Sequence, residues 1–355
     1  MIDSTNSETA KNKVETHDLG STIAHAVEIL RGGGLVAFPT ETVYGLGCDA
    51  RSEAAVSRLY AVKRRPANHP VIVHLATGAA IDDWAIRIPT WARALADSLW
   101  PGPLTLVLPK RVGVLDSLSG GHPSIGLRVP AQPVAQALLA AFAGGIAAPS
   151  ANRFGRVSPT TADAVHQDLG ADVDLVLDDG PCSVGIESTV IDCTGATPII
   201  LRPGGVTNET LQSVLATVGC VLNPEATSST PASGTLAAHY APRAQVVLVD
   251  RDQIAAHIEK AITTGTRVGV IALADDLALS GLFDLPPEVV LAAPIDSDEY
   301  ARMLYQSLRT ADAAQLEEIF AVLPIASGMG VAVRDRLTRA AAGSCRPSPK
   351  RAVGQ

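Results

Sequence analysis

At 355 residues, with 47% hydrophobic and 18% charged side chains, the chain can bury a sizeable core and exceeds the usual span of about 100–200 residues for one domain, so two are expected. Its net charge of −8 argues against a general nucleic-acid coat or a membrane-surface binder and says nothing about a local basic pocket. Five cysteines (Cys48, Cys182, Cys193, Cys220, Cys345), odd in number and without a CxxC pair, support neither a disulfide framework nor a zinc site; the N-terminus is polar and no apolar run approaches the ~18 residues of a membrane span, which predicts a cytoplasmic protein.

Aromatic residues make up only 4%, so the core must come from Ala, Val, Leu and Ile, while 30 Gly and 24 Pro imply many tight connections; this suits an α/β fold. Residues 1–19 are polar without periodicity and read as a flexible tail. Ile23, Val27 and Leu30 then recur at helical spacing, and Gly32 to Gly34 stop that helix before a buried strand, Leu35 to Phe38. The stretch FPTETVYGLGCD follows, and its Thr40, Glu41 and Thr42 leave the C-terminal end of the strand, where open α/β sheets bind ligands. Gly45 and Gly47 admit backbone shapes and close approaches that a Cβ would forbid.

Ser52 can cap a helix whose apolar face is Val56, Leu59 and Tyr60 and whose last residue is Lys63. The run KRRPANHP, Lys63 to Pro70, fits a phosphate site pinned by prolines and equally fits a solvated helix end. His69 and His74 are too awkwardly spaced for two zinc ligands on one strand face. Beyond the strand Val71 to Leu75 come a helix around Trp91 to Trp100 and a strand at Leu104 to Leu108. In SIGLRVP the alternation puts Ser124 and Arg128 on one strand face, where a buried arginine needs an anionic partner. A helix at Val134 to Phe142 precedes the strand Ile146 to Ala148 and the small residues of PSAN; Thr160 with Asp163 resembles a capping box. Three short β-rich runs, LVLDDG, ESTVID and IILRPGG, complete this half, the last presenting Arg202.

Residues 222–244 are rich in Pro, Ser, Thr and Ala and read as a linker. Beyond it, VVLVD, an amphipathic helix, VGVIAL, VVLAAP and a long helix through Met303 and Leu308 give a β-α-β-β-α alternation, hence a smaller α/β domain over residues 245–343 and a basic tail at 344–355.

No phosphate loop, dinucleotide fingerprint, nucleophile elbow or HExxH pair is present. What remains is a set of hydroxyls and cations at several strand ends (Thr40, Thr42, Lys63, Arg65, Ser124, Arg128, Ser150, Ser158, Ser188, Arg202). Such a set suits polyanion transfer by positioning and charge neutralisation, without a protein nucleophile.

FPTETVYGLGCDA, Lys63 and Arg65 with the following HPVIVH, then PSAN, ESTVID and LRPG occur in the order and approximate spacing of the YrdC-like threonylcarbamoyl-AMP synthase family, which the chain resembles over residues 20–210. The linker, with His239 to Pro242 reading HYAP, and the domain after it resemble the long form of that family. The resemblance implies a YrdC-like twisted open mixed sheet with flanking helices, plus a smaller Rossmann-like α/β C-terminal domain. It implies a nucleotidyltransferase reaction in which L-threonine, bicarbonate or CO2, and ATP give L-threonylcarbamoyl-AMP and pyrophosphate. The product would pass to a separate tRNA threonylcarbamoyl transferase complex that modifies the adenosine next to the anticodon. By the same resemblance Thr42, His74, Arg128, Ala148 and Ser188 hold threonine. Lys63, Arg65, His69, Ser124, Ser150, Asn152, Ser158, Arg202 and His239 hold ATP, with Lys63 and Arg65 catalytic; His69 stands where the family usually has asparagine. Magnesium is expected with the ATP and no protein metal site is implied. A rival reading is an RNA-binding module of the same fold, disfavoured by the negative charge and the absence of interleaved aromatics, so direct tRNA binding is expected to be weak. A carbamoyltransferase of the hydrogenase-maturation type would need CxxC clusters that are absent.

Overall fold

The computed structural model describes residues 19–223, 226–282 and 289–344. The expected N-terminal tail lies outside these residues up to Leu19, which already begins a helix, and the C-terminal tail lies outside them from position 345 on, Cys345 included.

The first domain opens with α1 (Leu19–Arg31), which buries Ile23, Ala26, Val27 and Leu30 as one stripe. Next come β1 (Val36–Phe38) and β2 (Gly45–Asp49), an antiparallel pair. Gly45 and Gly47 therefore lie in a strand. Only their expected close approach is realised: a Cβ on Gly47 would meet Phe38 and Ile146 at 2.8 Å. α2 (Glu53–Lys63) is capped by Ser52, whose hydroxyl accepts the amide of Ala55. The chain continues through β3 (Ile72–His74), α3 (Thr90–Leu99), β4 (Leu104–Pro109), α4 (Asp116–Ser119), β5 (Ser124–Arg128), α5 (Pro133–Phe142) and β6 (Ile146–Ala147). α6 (Ala162–Leu169) is capped by Thr161, one residue later than the Thr160 and Asp163 spacing suggests, because the Thr161 hydroxyl is the one that reaches the Ala164 amide. β7 (Leu175–Val176), β8 (Thr189–Asp192), β9 (Ile199–Arg202) and α7 (Asn208–Ala216) close the domain.

These strands make a nine-stranded mixed sheet in the order β7-β1-β2-β6-β3-β5-β4-β8-β9. α1 and α5 bury their apolar stripes with Val36, Phe38 and Ile146 in one cluster, while Leu46, Val73, Leu106 and Leu127 join residues of α2 and α3 in a second, larger one. β3 runs parallel to β5 with His74 beside Arg128 in register, so both side chains stand together at the same sheet end.

The second domain contains β10 (Gln245–Val249), α8 (Ile254–Thr264), β11 (Val268–Ile271), α9 (Ala274–Leu279), β12 (Val290–Ala292), α10 (Ser297–Ala313), β13 (Glu318–Val322) and α11 (Gly330–Ser344). All four strands are parallel, in the order β10-β13-β11-β12. The β-α-β-β-α alternation omits α9 between β11 and β12, the strand β13, which lies inside the sheet, and α11. The signal for β13 was the short apolar run Ile319 to Leu323, consistent with a strand buried on both faces. The core of this domain runs on into the first through Val43, Val157 and Ile186, and the ion pairs Arg309–Asp168 (2.7 Å) and Arg156–Asp312 (3.1 Å) cross the seam.

Candidate active site

One cleft gathers residues from the ends of β1, β3, β5, β6, β8, β9 and α2 and from the linker. Its walls include Thr42, Lys63, Arg65, His74, Arg128, Ala148, Ser150, Asn152, Ser188, Arg202 and His239. Three expected members stand apart. His69 sits half-buried at the rim, edge-on to Phe154 at 5.2 Å. Ser124 lines a neighbouring small cavity roofed by Pro231, Ala232 and Ser233. Ser158 lies behind the wall and donates its hydroxyl to Glu187 at 2.7 Å.

The cationic side of the cleft follows from how α2 ends. Arg64 adopts the left-handed conformation (φ +53°), a shape that costs an L-residue roughly 1 kcal/mol. That single reversal turns Lys63 and Arg65 inward while Arg64 stays exposed. Lys63 Nζ donates to the backbone carbonyls of Ser150 and Asn152. Burial, then the charge of Arg65, push its pKa well below the ordinary lysine value. Arg65 donates to the carbonyl of Pro70 at 2.7 Å and lies over the ring of Phe154, 5.4 Å from its centroid. Arg202, at the end of β9, donates to the carbonyl of Ser188 at 2.8 Å and to that of Ser233 at 2.9 Å. Uncharged oxygens thus hold all three basic side chains, carbonyls for each and in addition the hydroxyl of Ser188 for Arg202 at 3.2 Å and of Ser233 for Arg65 at 3.4 Å, an arrangement that leaves them for an anion.

The opposite side is built on the strand end that carries Thr40 to Thr42. Arg128 Nη1 donates to the Thr42 hydroxyl at 2.9 Å, and Nη2 donates to Glu41 Oε1 at 2.7 Å. Glu41 Oε2 accepts the amide of Ala131 at 3.0 Å. His74, beside Arg128, is held neutral: burial first, and then the arginine charge, lower its pKa to about 3. Among the described residues its Nδ1 has no hydrogen-bond partner. Ser188 shares a hydrogen bond with Thr105 at 2.8 Å.

The linker closes the top. A Cβ on Gly234 (φ +76°) would come within 2.5 Å of Arg202 Nη1 and of the Tyr240 hydroxyl, so only glycine fits this crossing. His239 stands edge-on to Phe154 (5.9 Å) and to Tyr240 (4.1 Å). Burial is the main cause that lowers its pKa to about 3, opposed by Glu187 and assisted by Arg65 and Arg202.

Glu41 was expected at this strand end, whereas Glu187 was not among the expected site residues; both carboxylates are paired with arginines. Burial would raise the pKa of Glu187, yet Arg336 and Arg202 with the Ser158 hydroxyl hold it to about 2. A buried Glu in the run ESTVID had to find such partners, which was the available signal. Tyr240 had a signal in the HYAP motif beside His239, whereas Phe154 and Arg336 gave none, because their nearness to the cleft depends on long-range packing. No group of three or more His, Cys, Asp or Glu able to hold a metal exists among the described residues, and no helix there is long and apolar enough to cross a membrane.

Residues 28–204 match the Sua5, YciO and YrdC family model, described as "Telomere recombination", and residues 206–342 match the model "Threonylcarbamoyl-AMP synthase, C-terminal domain". The chain is 39% identical to the threonylcarbamoyl-AMP synthase of Pyrococcus abyssi over 89% of its own length and 92% of the relative's. It is 35% identical to that of Bacillus subtilis over 90% and 93%. The fold superposes on the crystal structure of P. abyssi Sua5 complexed with L-threonine with a TM-score of 0.81, at 38% identity, over 92% of this chain and 95% of the other.

Proposed function

The chain belongs to the threonylcarbamoyl-AMP synthase family in its two-domain form, and on that premise we propose how its cleft divides the work. The activity is that of an L-threonylcarbamoyladenylate synthase, a nucleotidyltransferase acting on L-threonine, bicarbonate or CO2, and ATP. The observation that carries this reading is one cleft with two differently built anion sites: Lys63, Arg65 and Arg202 held by uncharged oxygens on one side, and Arg128 with Thr42, His74 and Ser188 on the other.

Arg128 receives the threonine carboxylate. It has five N–H donors, and three are engaged by Gly102, Thr42 and Glu41, so two remain for the substrate. Glu41 keeps the charge of Arg128 balanced while the site is empty of substrate. Neutral His74 adds no competing positive charge and suits the uncharged amine that must attack CO2. The N-carboxylate so formed attacks the α-phosphorus of ATP. A carbamoyl oxygen to phosphorus bond forms and the bond to pyrophosphate breaks, while water has left with the dehydration of bicarbonate. Lys63, Arg65 and Arg202 face the phosphates and stabilise the charge that accumulates on the leaving pyrophosphate. ATP enters as its magnesium complex; both carboxylates of the cleft are already hydrogen-bonded, which favours phosphate oxygens as the main ligands of that ion.

Residues 20–210 act as the catalytic unit, the linker 222–244 as its cover and residues 245–343 as the support of that cover. The unstable product goes to a tRNA-modifying transferase, and direct tRNA contact is weak. Pyrophosphate release measured with and without L-threonine and bicarbonate, with L-serine as control, tests the reading. Dependence on both co-substrates is expected; release without threonine, or none at all, would overturn it.

A further inference from the structure

Helix α11 belongs to the second domain, yet its side chains serve the first. Arg336 has 0% exposure, and its Nε donates to Glu187 Oε2 at 2.8 Å while Nη2 donates to the carbonyl of Pro203 at 3.0 Å. Tyr305 of α10 donates its hydroxyl to the same Glu187 oxygen at 2.8 Å. Among the described residues, two of the three side chains that hydrogen-bond this carboxylate therefore come from the other domain, and Ser158 is the local one.

The same arginine reaches the linker. Its guanidinium lies 5.1 Å from the centroid of the Tyr240 ring, which also stacks on Tyr305 at 5.6 Å. One turn further along α11, the carbonyl of Arg339 accepts the amide of His239 at 3.3 Å, and the Arg339 side chain donates to the carbonyl of Leu236. Asp335 bonds both arginines, Arg336 at 2.5 Å and Arg339 at 3.0 Å, which sets their spacing. Glu187 lines the cleft and is followed in sequence by Ser188, whose carbonyl orients Arg202.

We propose that Arg336 is a positioning residue for the synthase reaction: from the second domain it fixes the Glu187 carboxylate in the wall of the cleft and holds Tyr240 and His239 of the linker against it. The physical reason is charge. A carboxylate facing a triphosphate repels it unless a cation neutralises it from behind, and a cation in the open cleft would be taken up by the phosphates themselves. Arg336, fully buried, stays with Glu187 whether or not nucleotide is bound. The groups facing Glu187 are Ser158, Arg202, His239, Tyr240, Tyr305 and Arg336, and of these Arg336 is the largest opponent of its protonation after burial is set aside.

The proposal rests on the synthase reading, so threonine- and bicarbonate-dependent pyrophosphate release by the full-length wild-type chain is measured first, and its absence would overturn that reading itself. Given that activity, R336M is expected to raise the ATP KM roughly tenfold or more, with little change in the threonine KM, as loss of a supporting partner does. Its ATP KM should also climb as pH rises through the titration of Glu187, now pushed up by burial, and E187Q/R336M should abolish that limb. Wild-type ATP KM and pH profile in R336M, or an equal loss of kcat with no pH limb, would overturn the proposal. Should R336M fail to fold, E187Q is compared with E187Q/R336M: equal ATP KM values support action through Glu187, and a further tenfold rise in the double variant overturns it.

Discussion

Arg128 Nη2 meets Glu41 Oε1 at 2.7 Å, and both side chains are almost dry, 5% and 9% exposed. The arginine assigned to the substrate carboxylate thus carries a resident carboxylate of its own. Removing one member of such a pair strands the other: Arg128→Ala is expected to lower stability by about 3 kcal/mol. It should also raise the threonine KM about 30-fold, the equivalent of roughly 2 kcal/mol for a lost charged hydrogen bond, with the ATP KM unchanged. Urea unfolding and steady-state pyrophosphate release measure the two effects, and a rise confined to the ATP KM would reverse the assignment.

Lys63→Ala and Arg65→Ala each remove a cation fixed by backbone carbonyls. Each should cost roughly 2 kcal/mol of transition-state stabilisation, about 30-fold in kcat/KM for ATP. Wild-type rates in both would contradict the charge-clamp mechanism.

Lys63 also predicts a pH dependence. Its pKa lies well below the ordinary 10.5 in the free protein, and a bound triphosphate restores it upward, so nucleotide binding takes up a proton. The ATP KM should therefore rise with pH across the interval between the depressed value and 10.5. Lys63→Arg, which does not titrate there, should flatten the slope even if its KM is higher throughout. Calorimetric titration in buffers of different ionisation enthalpy reads the proton directly.

His74 and His239 have pKa values near 3 in the folded protein against 6.5 when unfolded. Because the folded values are depressed, the unfolded state binds more protons between these limits, and stability is lost as pH falls below 6.5. At pH 5 each histidine should cost about 2 kcal/mol relative to neutral pH. His74→Gln should therefore make the urea midpoint less sensitive to pH between 7 and 5; an unchanged pH slope would show that His74 charges freely.

Gly234→Ala places a methyl group against Arg202 and Tyr240 at a left-handed position. The backbone alone should cost about 1 kcal/mol, and the displaced Arg202 should raise the ATP KM. A variant with normal kinetics would mean that the linker crossing does not bear on the nucleotide side of the cleft.

Much of this was readable along the chain. Ser52 as the cap of α2 and Lys63 as its last residue follow from local rules, because capping and amphipathic spacing act within a turn or two. The strands that end in His74, Arg128 and Arg202, and those flanking Thr42 and Ser188, were visible as short apolar runs between turn residues. Their convergence was not, since sheet order places β3 between β6 and β5, and β4 between β5 and β8, without regard to chain order.

The sequence by itself determined the two-domain α/β plan, the family and the chemical character of the cleft, because those depend on residue types and their local spacing. Tertiary structure alone decided which charges are compensated. Glu41 lies 87 residues from Arg128 and Glu187 lies 149 from Arg336, and at such separations only the packed fold can bring a buried carboxylate to its cation. Leaving either carboxylate unpaired carries a desolvation cost, and of the two contacts Glu187–Arg336 is the one where the fold of the second domain meets the chemistry of the first.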